Sequence, residues 1–392
     1  MENLVDHSAL GVQADTAQFW NGKRVLVTGH TGFKGGWLVL WLQQLGAEVI
    51  GYSLAPPSTP NLFEAARLKE SMVSIHGDVR SPDHLLRAMR QHRPEVVFHM
   101  AAQSLVREAY AHPTETYATN VMGTVHVLDA IRQVESVRSA VVVTSDKCYE
   151  NRESPLWGFR ETDPMGGLDP YSNSKGCAEL VVSSYQRSFF ADASRRVGVG
   201  SARAGNVIGG GDWADDRLIP DVVRAFSDGE PVHIRNPRAV RPWQHVLEPL
   251  RGYLTLAQAL WEEPDRFAGG WNFGPDDADA QPVGAIVDRL MSMWGDGAEA
   301  VSAPGPHPHE ASFLRLDCAK ARSLLGWTPR LPLPEALRWT VEWYKSVDAG
   351  SDPRTRTLDQ IRRYEHLLQD HLPHDFHQGS PSGYVRPSSR AD

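Results

Sequence analysis

Short apolar segments alternate with helical stretches through the first half of the chain, and this alternation limits the possible folds more than any other feature. Six segments have the apolar character of buried strands: 23–28, 48–52, 73–78, 96–99, 140–144 and 197–203. Helices are predicted between them over 36–45, 82–91, 113–133 and 171–190. Buried strands joined by helices form βαβ units. The sequence therefore predicts an α/β fold built on a doubly wound parallel sheet.

A glycine-rich turn follows the first predicted strand. Gly29, Gly32 and Gly35 recur at a three-residue spacing just before the first helix. Glycine permits the tight turn and lets a pyrophosphate approach the backbone N–H groups at the helix N-terminus. Because this turn lies between a strand and a helix at the start of a βαβ array, it predicts a dinucleotide-binding Rossmann domain.

The second predicted strand ends without the acidic residue that commonly holds an adenosine ribose. Residues 51–54 contain neither Asp nor Glu, and no arginine stands there for a 2′-phosphate. Ser53 offers a weaker contact, and Asp78 with Val79 suits the adenine edge. NAD is therefore preferred to NADP as the predicted cofactor.

The chain divides into four predicted parts. A polar extension covers 1–17, the Rossmann domain covers 18–203, a smaller mixed α/β substrate domain covers 204–350, and a helix with a disordered tail covers 351–392. The sequence leaves open whether later segments return to the first domain. The alternating pattern loosens after 203, where glycine- and aspartate-rich stretches cover 205–216 and 268–281. Short helices are predicted at 219–228, 249–261, 283–294, 318–325, 333–346 and 358–372.

Composition excludes several classes of protein. A formal charge of −8 argues against a surface for nucleic acid or an anionic membrane, and no apolar run reaches membrane-spanning length. Three scattered cysteines and no secretory leader predict a reducing cytoplasm. Cys148 and Cys177 are interpreted as buried packing residues. No metal is expected, because prolines around His307 and His309 prevent the helical spacing of histidine ligands.

Two segments carry the candidate chemistry. Tyr171 and Lys175 are four residues apart, so on a helix the ammonium lies beside the phenol and lowers its pKa. Ser145 is placed to hold a substrate hydroxyl, and the three groups suffice to oxidise an alcohol. Asp146 and Lys147 are then surplus, which predicts proton transfer elsewhere on the same substrate.

These motifs resemble the extended short-chain dehydrogenases/reductases, in particular the nucleotide-sugar 4,6-dehydratases. The resemblance runs from about 19 to 346 and includes Asn120. Most members have Glu at the position of Lys147. With a lysine there, the chain is similar to the CDP-glucose branch. The resemblance implies that NAD is held by the glycine turn, by the ends of the next strands and by the catalytic pair: Gly29, Thr31, Gly32, Phe33, Lys34, Gly35, Ser53, Asp78, Val79, Ala101, Ala102, Ser104, Tyr171 and Lys175.

The same resemblance implies a substrate side, with CDP-glucose as the small-molecule partner. Asn206 is expected near the sugar or its diphosphate, and Arg241 on the diphosphate, which a guanidinium binds bidentately. Arg217, His309 and Glu310 are weaker candidates for the nucleotide end. Relatives pair through the helices at 113–133 and 171–190, which implies a homodimer, with a homotetramer as the further option.

The implied reaction uses every group of the two segments. Tyr171 removes the proton of the C4 hydroxyl, Ser145 binds that oxygen, Lys147 takes the C5 proton and Asp146 protonates the departing C6 hydroxyl. The base role requires a lowered pKa for Lys147; alternatively, this lysine only orders the site. A 4-epimerase or reductase of the same fold would need neither Asp146 nor Lys147. A catalytically dead cofactor-binding regulator is the alternative from another class.

Overall fold

The computed structural model describes residues 18–151, 158–191, 196–295, 297–302 and 313–369. The predicted N-terminal extension and the predicted disordered stretch at 378–392 lie outside these residues, as do His309 and Glu310. The strands are β1 (Arg24–Thr28), β2 (Glu48–Ser53), β3 (Val73–His76), β4 (Val96–His99), β5 (Ser139–Val143), β6 (Gly198–Ala204), β7 (Asn206–Ile208), β8 (Val232–Ile234), β9 (Val240–His245), β10 (Gly269–Phe273), β11 (Ala280–Pro282) and β12 (Ala300–Ser302).

The α-helices of the described residues are α1 (Phe33–Gln44), α2 (Leu62–Ala65), α3 (Pro82–His92), α4 (Val106–Ala111), α5 (Pro113–Tyr117), α6 (Gly123–Gln133), α7 (Pro170–Tyr185), α8 (Leu218–Ser227), α9 (Leu247–Glu262), α10 (Pro264–Phe267), α11 (Val283–Trp294), α12 (Ala319–Leu325), α13 (Leu333–Asp348) and α14 (Pro353–Gln369). A π-helical turn, Ala118–Met122, joins α5 to α6, and a second one, Gln186–Phe190, extends α7. The single helices predicted at 113–133 and 171–190 therefore form, each with one wider turn.

Seven parallel strands form the central sheet in the order β10-β6-β5-β4-β1-β2-β3. The predicted doubly wound α/β fold is confirmed. Strand β10 lies inside the glycine- and aspartate-rich stretch at 268–281, where the sequence predicted no strand. The side chains of Trp271 and Phe273 are fully buried, so their apolar area stabilises a strand despite the neighbouring glycines.

The chain after β6 also builds two small sheets. Strands β11, β9 and β7 form one, with β11 antiparallel and β7 parallel to β9. Strands β8 and β12 form the other. The glycine- and aspartate-rich stretch at 205–216 contains β7, which the sequence did not predict and which pairs with β9 over Asn206–Ile208. Such short strands have too few residues to show a period in the sequence.

The last helices pack on the first one. Trp41 of α1 donates from Nε1 to Glu365 Oε1 of α14 at 2.8 Å. Tyr364 of α14 meets Trp41 edge-on and donates to the buried Glu248 carboxylate at 2.8 Å. These aromatic residues, fully or almost fully buried, hold the C-terminal helices against the layer that carries the glycine turn.

The carboxyl ends of the central strands are joined by hydrogen bonds. At the end of β1, Thr28 Oγ1 accepts from the backbone N–H groups of Met100 and Ala101, both at 3.1 Å, and lies 2.8 Å from His99 Nδ1. The glycine turn and the loop after β4 are thereby fixed side by side. In open parallel sheets, ligands bind at this edge.

Candidate active site

A cavity of about 690 Å³ opens at this edge and extends to the small sheets. It brings together all the predicted site residues that the structure describes: Gly29, Thr31, Gly32, Phe33, Lys34, Gly35, Ser53, Asp78, Val79, Ala101, Ala102, Ser104, Ser145, Asp146, Lys147, Tyr171, Lys175, Asn206, Arg217 and Arg241. His309 and Glu310 lie outside the described residues. One cleft therefore contains both halves of the predicted site.

The three glycines of the turn have different steric surroundings. Gly29 has a φ of +77°, and a Cβ on Gly35 would lie 2.2 Å from the Gly29 carbonyl oxygen. A Cβ on Gly32 would meet only that oxygen, at 3.5 Å. Gly29 and Gly35 thus allow the turn itself, whereas Gly32 leaves open the approach to the N-terminus of α1. This arrangement fits a pyrophosphate.

Hydroxyl groups and one carboxylate line the predicted adenosine end. Thr31 Oγ1 lies 2.8 Å from Ser53 Oγ and donates to the Leu54 carbonyl at 3.1 Å. Asp78 accepts from the Arg80 backbone N–H and from Arg80 Nε, each at 2.8 Å. Hydrogen bonding to Arg80 holds the pKa of Asp78 below its usual value, despite partial burial. These groups fit the hydroxyls and the base of an adenosine.

Ser145 and Asp146 begin a short 3₁₀ turn, Asp146–Cys148, after β5. Ser145 Oγ accepts from the Lys147 backbone N–H at 3.2 Å and donates to Asp146 Oδ1 at 3.1 Å. Asp146 is 3% exposed, and its Oδ2 has no hydrogen-bond partner among the described residues. Burial raises the pKa of this carboxyl, although Lys147 and Ser145 partly oppose it. Asp146 is therefore suited to carry a proton.

Tyr171 and Lys175 project from the first turns of α7. Asp169 caps this helix, accepting from the Ser172 backbone N–H at 2.9 Å, and Pro170 opens it. Lys175 Nζ donates to the Val143 carbonyl at 3.3 Å, and Lys147 Nζ lies 5.8 Å from the centroid of the Tyr171 ring. The structure thus gathers both predicted segments at the end of β5.

The predicted lowering of the Tyr171 pKa does not arise from this chain's own side chains. Burial raises the pKa of the phenol to about 12, although hydrogen bonding with Ser145 opposes the rise. Burial also lowers the pKa of Lys175 to about 8. The prediction neglected desolvation, which disfavours the charged form of both groups and outweighs their proximity.

Asn120 fixes the loop that leads from β4 into the cleft. It lies in the π-helical turn and accepts from the Gln103 N–H at 2.9 Å. Its amide donates to the Gln103 carbonyl at 2.9 Å and to Ser174 Oγ at 2.8 Å. The wider turn carries Asn120, whose bonds join the loop at 101–104 to α7.

The predicted substrate residues lie on the small-sheet side of the cleft. Asn206 opens β7. Arg217 pairs with Asp212 at 3.0 Å and donates to Ser104 Oγ at 2.9 Å, so Ser104 lies between the two halves. Arg241 is 5% exposed, and its Nη1 donates to the Val240 carbonyl at 3.0 Å.

Sequence reasoning missed Arg235, which lines the cleft, and Tyr253, which contacts Lys34. Lys34, predicted only as a cofactor ligand, donates to Tyr253 Oη at 3.2 Å. Burial and the neighbouring Lys175 lower the pKa of Lys34 to about 7. Arg235 pairs with Asp216 at 3.0 Å. No motif marks Tyr253 or Arg235, because they reach the site only through the tertiary fold.

No cluster of three or more His, Cys, Asp or Glu side chains suited to a metal ion occurs in the described ranges. None of the helices found there has the length and apolar character needed to cross a membrane.

Three features define an extended short-chain dehydrogenase/reductase: the strand order, the glycine turn, and a tyrosine one helical turn from a lysine at the same cleft. The family model described as GDP-mannose 4,6 dehydratase matches residues 26–340. The chain belongs to this family.

Similar proteins include both dehydratases and epimerases. The curated CDP-glucose 4,6-dehydratase of Salmonella typhimurium (strain LT2) is 56% identical over 349 residues, which cover 88% of this chain and 97% of that protein. The structure of MoeE5 in complex with UDP-glucose and NAD is 28% identical, with a TM-score of 0.66, and covers 83% of this chain and 99% of that one. The structure of the UDP-glucose 4-epimerase of Thermotoga maritima is 23% identical, with a TM-score of 0.72. The match covers 83% of this chain and 99% of that one, and it shows the fold alone.

Proposed function

We propose that this chain is an NAD-dependent lyase that converts CDP-D-glucose to CDP-4-dehydro-6-deoxy-D-glucose. The observation that carries the proposal is the position of Asp146 and Lys147, which share one cleft with Tyr171 and Lys175. A site that only oxidises an alcohol needs just Ser145, Tyr171 and Lys175. The 56% identity to a CDP-glucose 4,6-dehydratase over nearly its whole length supports the same reaction.

The cofactor half would consist of 18–203 together with α9 and β10, and the substrate half of the small sheets. Gly32 and the N-terminus of α1 would hold the pyrophosphate of NAD, and Ser53, Thr31 and Asp78 the adenosine. When bound, NAD accepts a hydride from C4 of the sugar and later returns it to C6, so it ends the cycle unchanged.

In the first step, Tyr171 removes the proton from the C4 hydroxyl. Ser145 binds this oxygen and holds it near the phenol. Lys175, when protonated, favours the phenolate form of Tyr171, which is the form that accepts this proton. Burial raises the pKa of Tyr171 in the protein alone, and the positive charge of a bound nicotinamide would oppose this rise.

In the second step, the C4 ketone acidifies the C5–H and the two surplus groups act. Lys147 takes the C5 proton. Asp146, whose pKa is raised by burial, gives a proton to the departing C6 hydroxyl, and water leaves. When hydride adds to C6, protonated Lys147 returns its proton to C5. The proton that Tyr171 took from the C4 hydroxyl then matches the one that Asp146 gave to the leaving water, so the protons balance over the cycle.

Two alternative functions explain fewer of the residues in the cleft. A 4-epimerase or reductase, as among the 23% identical neighbours, would use Ser145, Tyr171 and Lys175 but leave Asp146 and Lys147 without a role. A catalytically dead regulator would not need the tyrosine and the lysine that the cleft retains.

We further propose a cytoplasmic homodimer. Free Cys148, Cys177 and Cys318 suit a reducing compartment. The helices around α6 and α7 expose the large apolar side chains of Met122, Leu180 and Phe189, as a pairing surface would. A homotetramer is the alternative assembly, and sedimentation distinguishes the two.

A panel of nucleoside-diphosphate glucoses tests the activity. The purified protein with NAD and no added reductant should convert CDP-glucose to a 4-keto-6-deoxy sugar, and a Tyr171→Phe variant is the matched control for background. Formation of a second hexose would favour the epimerase alternative. Turnover of only a thymidine or guanosine sugar would refute the cytidine assignment.

A further inference from the structure

A buried carboxylate lies one helical turn beyond Lys175 on α7. Glu179 is 5% exposed and accepts hydrogen bonds from the Thr144 hydroxyl, from Ser201 Oγ at 2.6 Å and from Arg203 Nη2 at 2.7 Å. Burial by itself would raise the pKa of this carboxyl. The Arg203 guanidinium and the hydrogen bonds outweigh burial, so the pKa lies below its usual value and Glu179 is an anion at neutral pH.

The donors to Glu179 belong to the elements that carry the reaction site. Thr144 directly precedes Ser145 at the end of β5. Ser201 and Arg203 lie on β6, which leads into Asn206. Because Glu179 itself belongs to α7, one carboxylate joins the three elements that present the serine, the substrate loop and the catalytic pair.

Lys175 lies in the electrostatic field of this anion. The two residues are four apart and share a face of α7, and attraction to Glu179 opposes the burial that lowers the pKa of the lysine. Three other ionisable groups face Lys175 from neighbouring elements: Cys148 after β5, His99 at the end of β4 and Lys34 on α1. Glu179 is in turn faced by Arg203, Cys148 and, from α12, Lys320.

Of these groups in the described chain, Glu179 alone is negatively charged at neutral pH. Burial raises the pKa of the Cys148 thiol well above its ordinary value, and burial lowers the pKa of His99 to about 3, so both are neutral. Lys34 carries either positive charge or none. The field that favours a charged Lys175 therefore comes from Glu179.

We infer that Glu179 is a positioning residue for the reaction, whose buried charge keeps Lys175 protonated beside Tyr171 and whose hydrogen bonds hold β5, β6 and α7 together. The inference deepens the proposed function, since it rests on the role given there to Lys175. In this role Glu179 contacts neither substrate nor cofactor.

Competitive labelling measures the charge of Lys175 without any substrate. Limiting acetic anhydride is applied from about pH 6 to about pH 11, a range that spans ordinary and lowered lysine pKa values, and the Lys175 peptide is quantified by mass spectrometry. In Glu179→Gln we expect the midpoint to fall by about one pH unit or more relative to the wild type. Glu179→Asp keeps the charge and should leave the midpoint near that of the wild type.

Glu161→Gln is the matched control. Glu161 is another mostly buried carboxylate, which accepts from the Asn272 backbone N–H at 2.9 Å and faces Lys320 and Arg203. Its loss should not move the Lys175 midpoint. An unshifted midpoint in Glu179→Gln, an equal shift in Glu161→Gln, or a shift in Glu179→Asp as large as in Glu179→Gln would overturn the inference.

A double variant covers the case in which Glu179→Gln leaves Arg203 unpaired in the interior and does not fold. Glu179→Gln with Arg203→Met removes both charges, and its midpoint should still lie below that of the wild type; an unchanged midpoint would overturn the inference. Because labelling needs no turnover, failure of the enzyme to act on CDP-glucose would refute the proposed function and leave this result readable.

Discussion

The carboxylate of Asp146 lies directly against the backbone of Gly205. A Cβ on Gly205 would stand 2.9 Å from Asp146 Oδ2 and 2.6 Å from Pro242 Cγ. Gly205 follows β6, at the entrance to the substrate side of the cleft. Because Gly205 has no side chain, the carboxylate of Asp146, the proposed proton donor, can lie at this position.

Gly205→Ala should impair the reaction with little effect on cofactor binding. The added methyl group must displace Asp146 or Pro242, and a shift of about 1 Å in a catalytic group costs on the order of 10²-fold in rate. We expect kcat to fall by about tenfold to a hundredfold. Steady-state kinetics with CDP-glucose, together with NAD titration, measure the two effects separately.

Gly274→Ala is the control for the added methyl group. Its Cβ would meet Leu316 Cβ at 3.3 Å and Cys318 Sγ at 3.4 Å, in a loop beyond β10 and outside the lining of the cleft. Wild-type kcat in Gly205→Ala would contradict the assigned position of Asp146.

Lys147→Met should slow proton removal at C5 while leaving the oxidation site complete. The measurement is the incorporation of solvent deuterium at C5 of the sugar. If Lys147 is the base, incorporation slows on the order of 10²-fold or more. Lys69→Met, on the 3₁₀ turn after α2, is the matched control. If the Lys147→Met enzyme incorporates deuterium as fast as the wild type, the base assignment fails.

Gly32→Ala should weaken NAD binding without unfolding the turn. Its Cβ would find only an ordinary contact, 3.5 Å from the Gly29 carbonyl oxygen, so Tm should change by less than about 2 °C. The methyl group would occupy the approach to the helix N-terminus, and we expect at least about a tenfold rise in the Kd of NAD. Equilibrium dialysis checks this result.

Gly35→Ala is the contrasting variant for the glycine turn. Its Cβ would overlap the Gly29 carbonyl at 2.2 Å, so it should lower Tm as well as NAD affinity. If Gly32→Ala bound NAD as tightly as the wild type, the pyrophosphate would not lie against Gly32.

Activity should fall as the pH rises above about 8. Burial lowers the pKa of Lys175 to about 8; the lysine is charged below this value and neutral above it, so its support for the Tyr171 phenolate is lost on the alkaline side. In Lys175→Arg the guanidinium stays charged, and this loss should disappear from the pH profile of kcat even though the rate is lower. An identical alkaline limb in both enzymes would exclude Lys175 as its source.

The sequence predicted the central sheet well because long, periodic elements carry strong signals. The strands that frame the glycine turn, and the helix that bears Tyr171 and Lys175, formed where expected. Strands β7 to β12 were missed because all but two are three residues long, and because Gly269 and Gly270 obscure the apolar residues of β10.

Residue spacing in the sequence also predicted the positions of side chains better than their pKa values. The four-residue spacing predicted that Tyr171 and Lys175 lie on one helix and line the same cleft. The rise of the phenol pKa follows from burial, which no local pattern reports. Likewise, Glu179 is visible in the sequence four residues after Lys175, while its bonds to Ser201 and Arg203 depend on the packing of β6 against α7.

Transfer of deuterium from C4 to C6 tests the central claim most directly. CDP-glucose labelled with deuterium at C4 is converted without added reductant, and the product is examined by NMR. The proposed cycle predicts that the label leaves C4 and appears on the C6 methyl group of a 4-keto product. Label retained at C4 of a hexose would contradict the dehydration account.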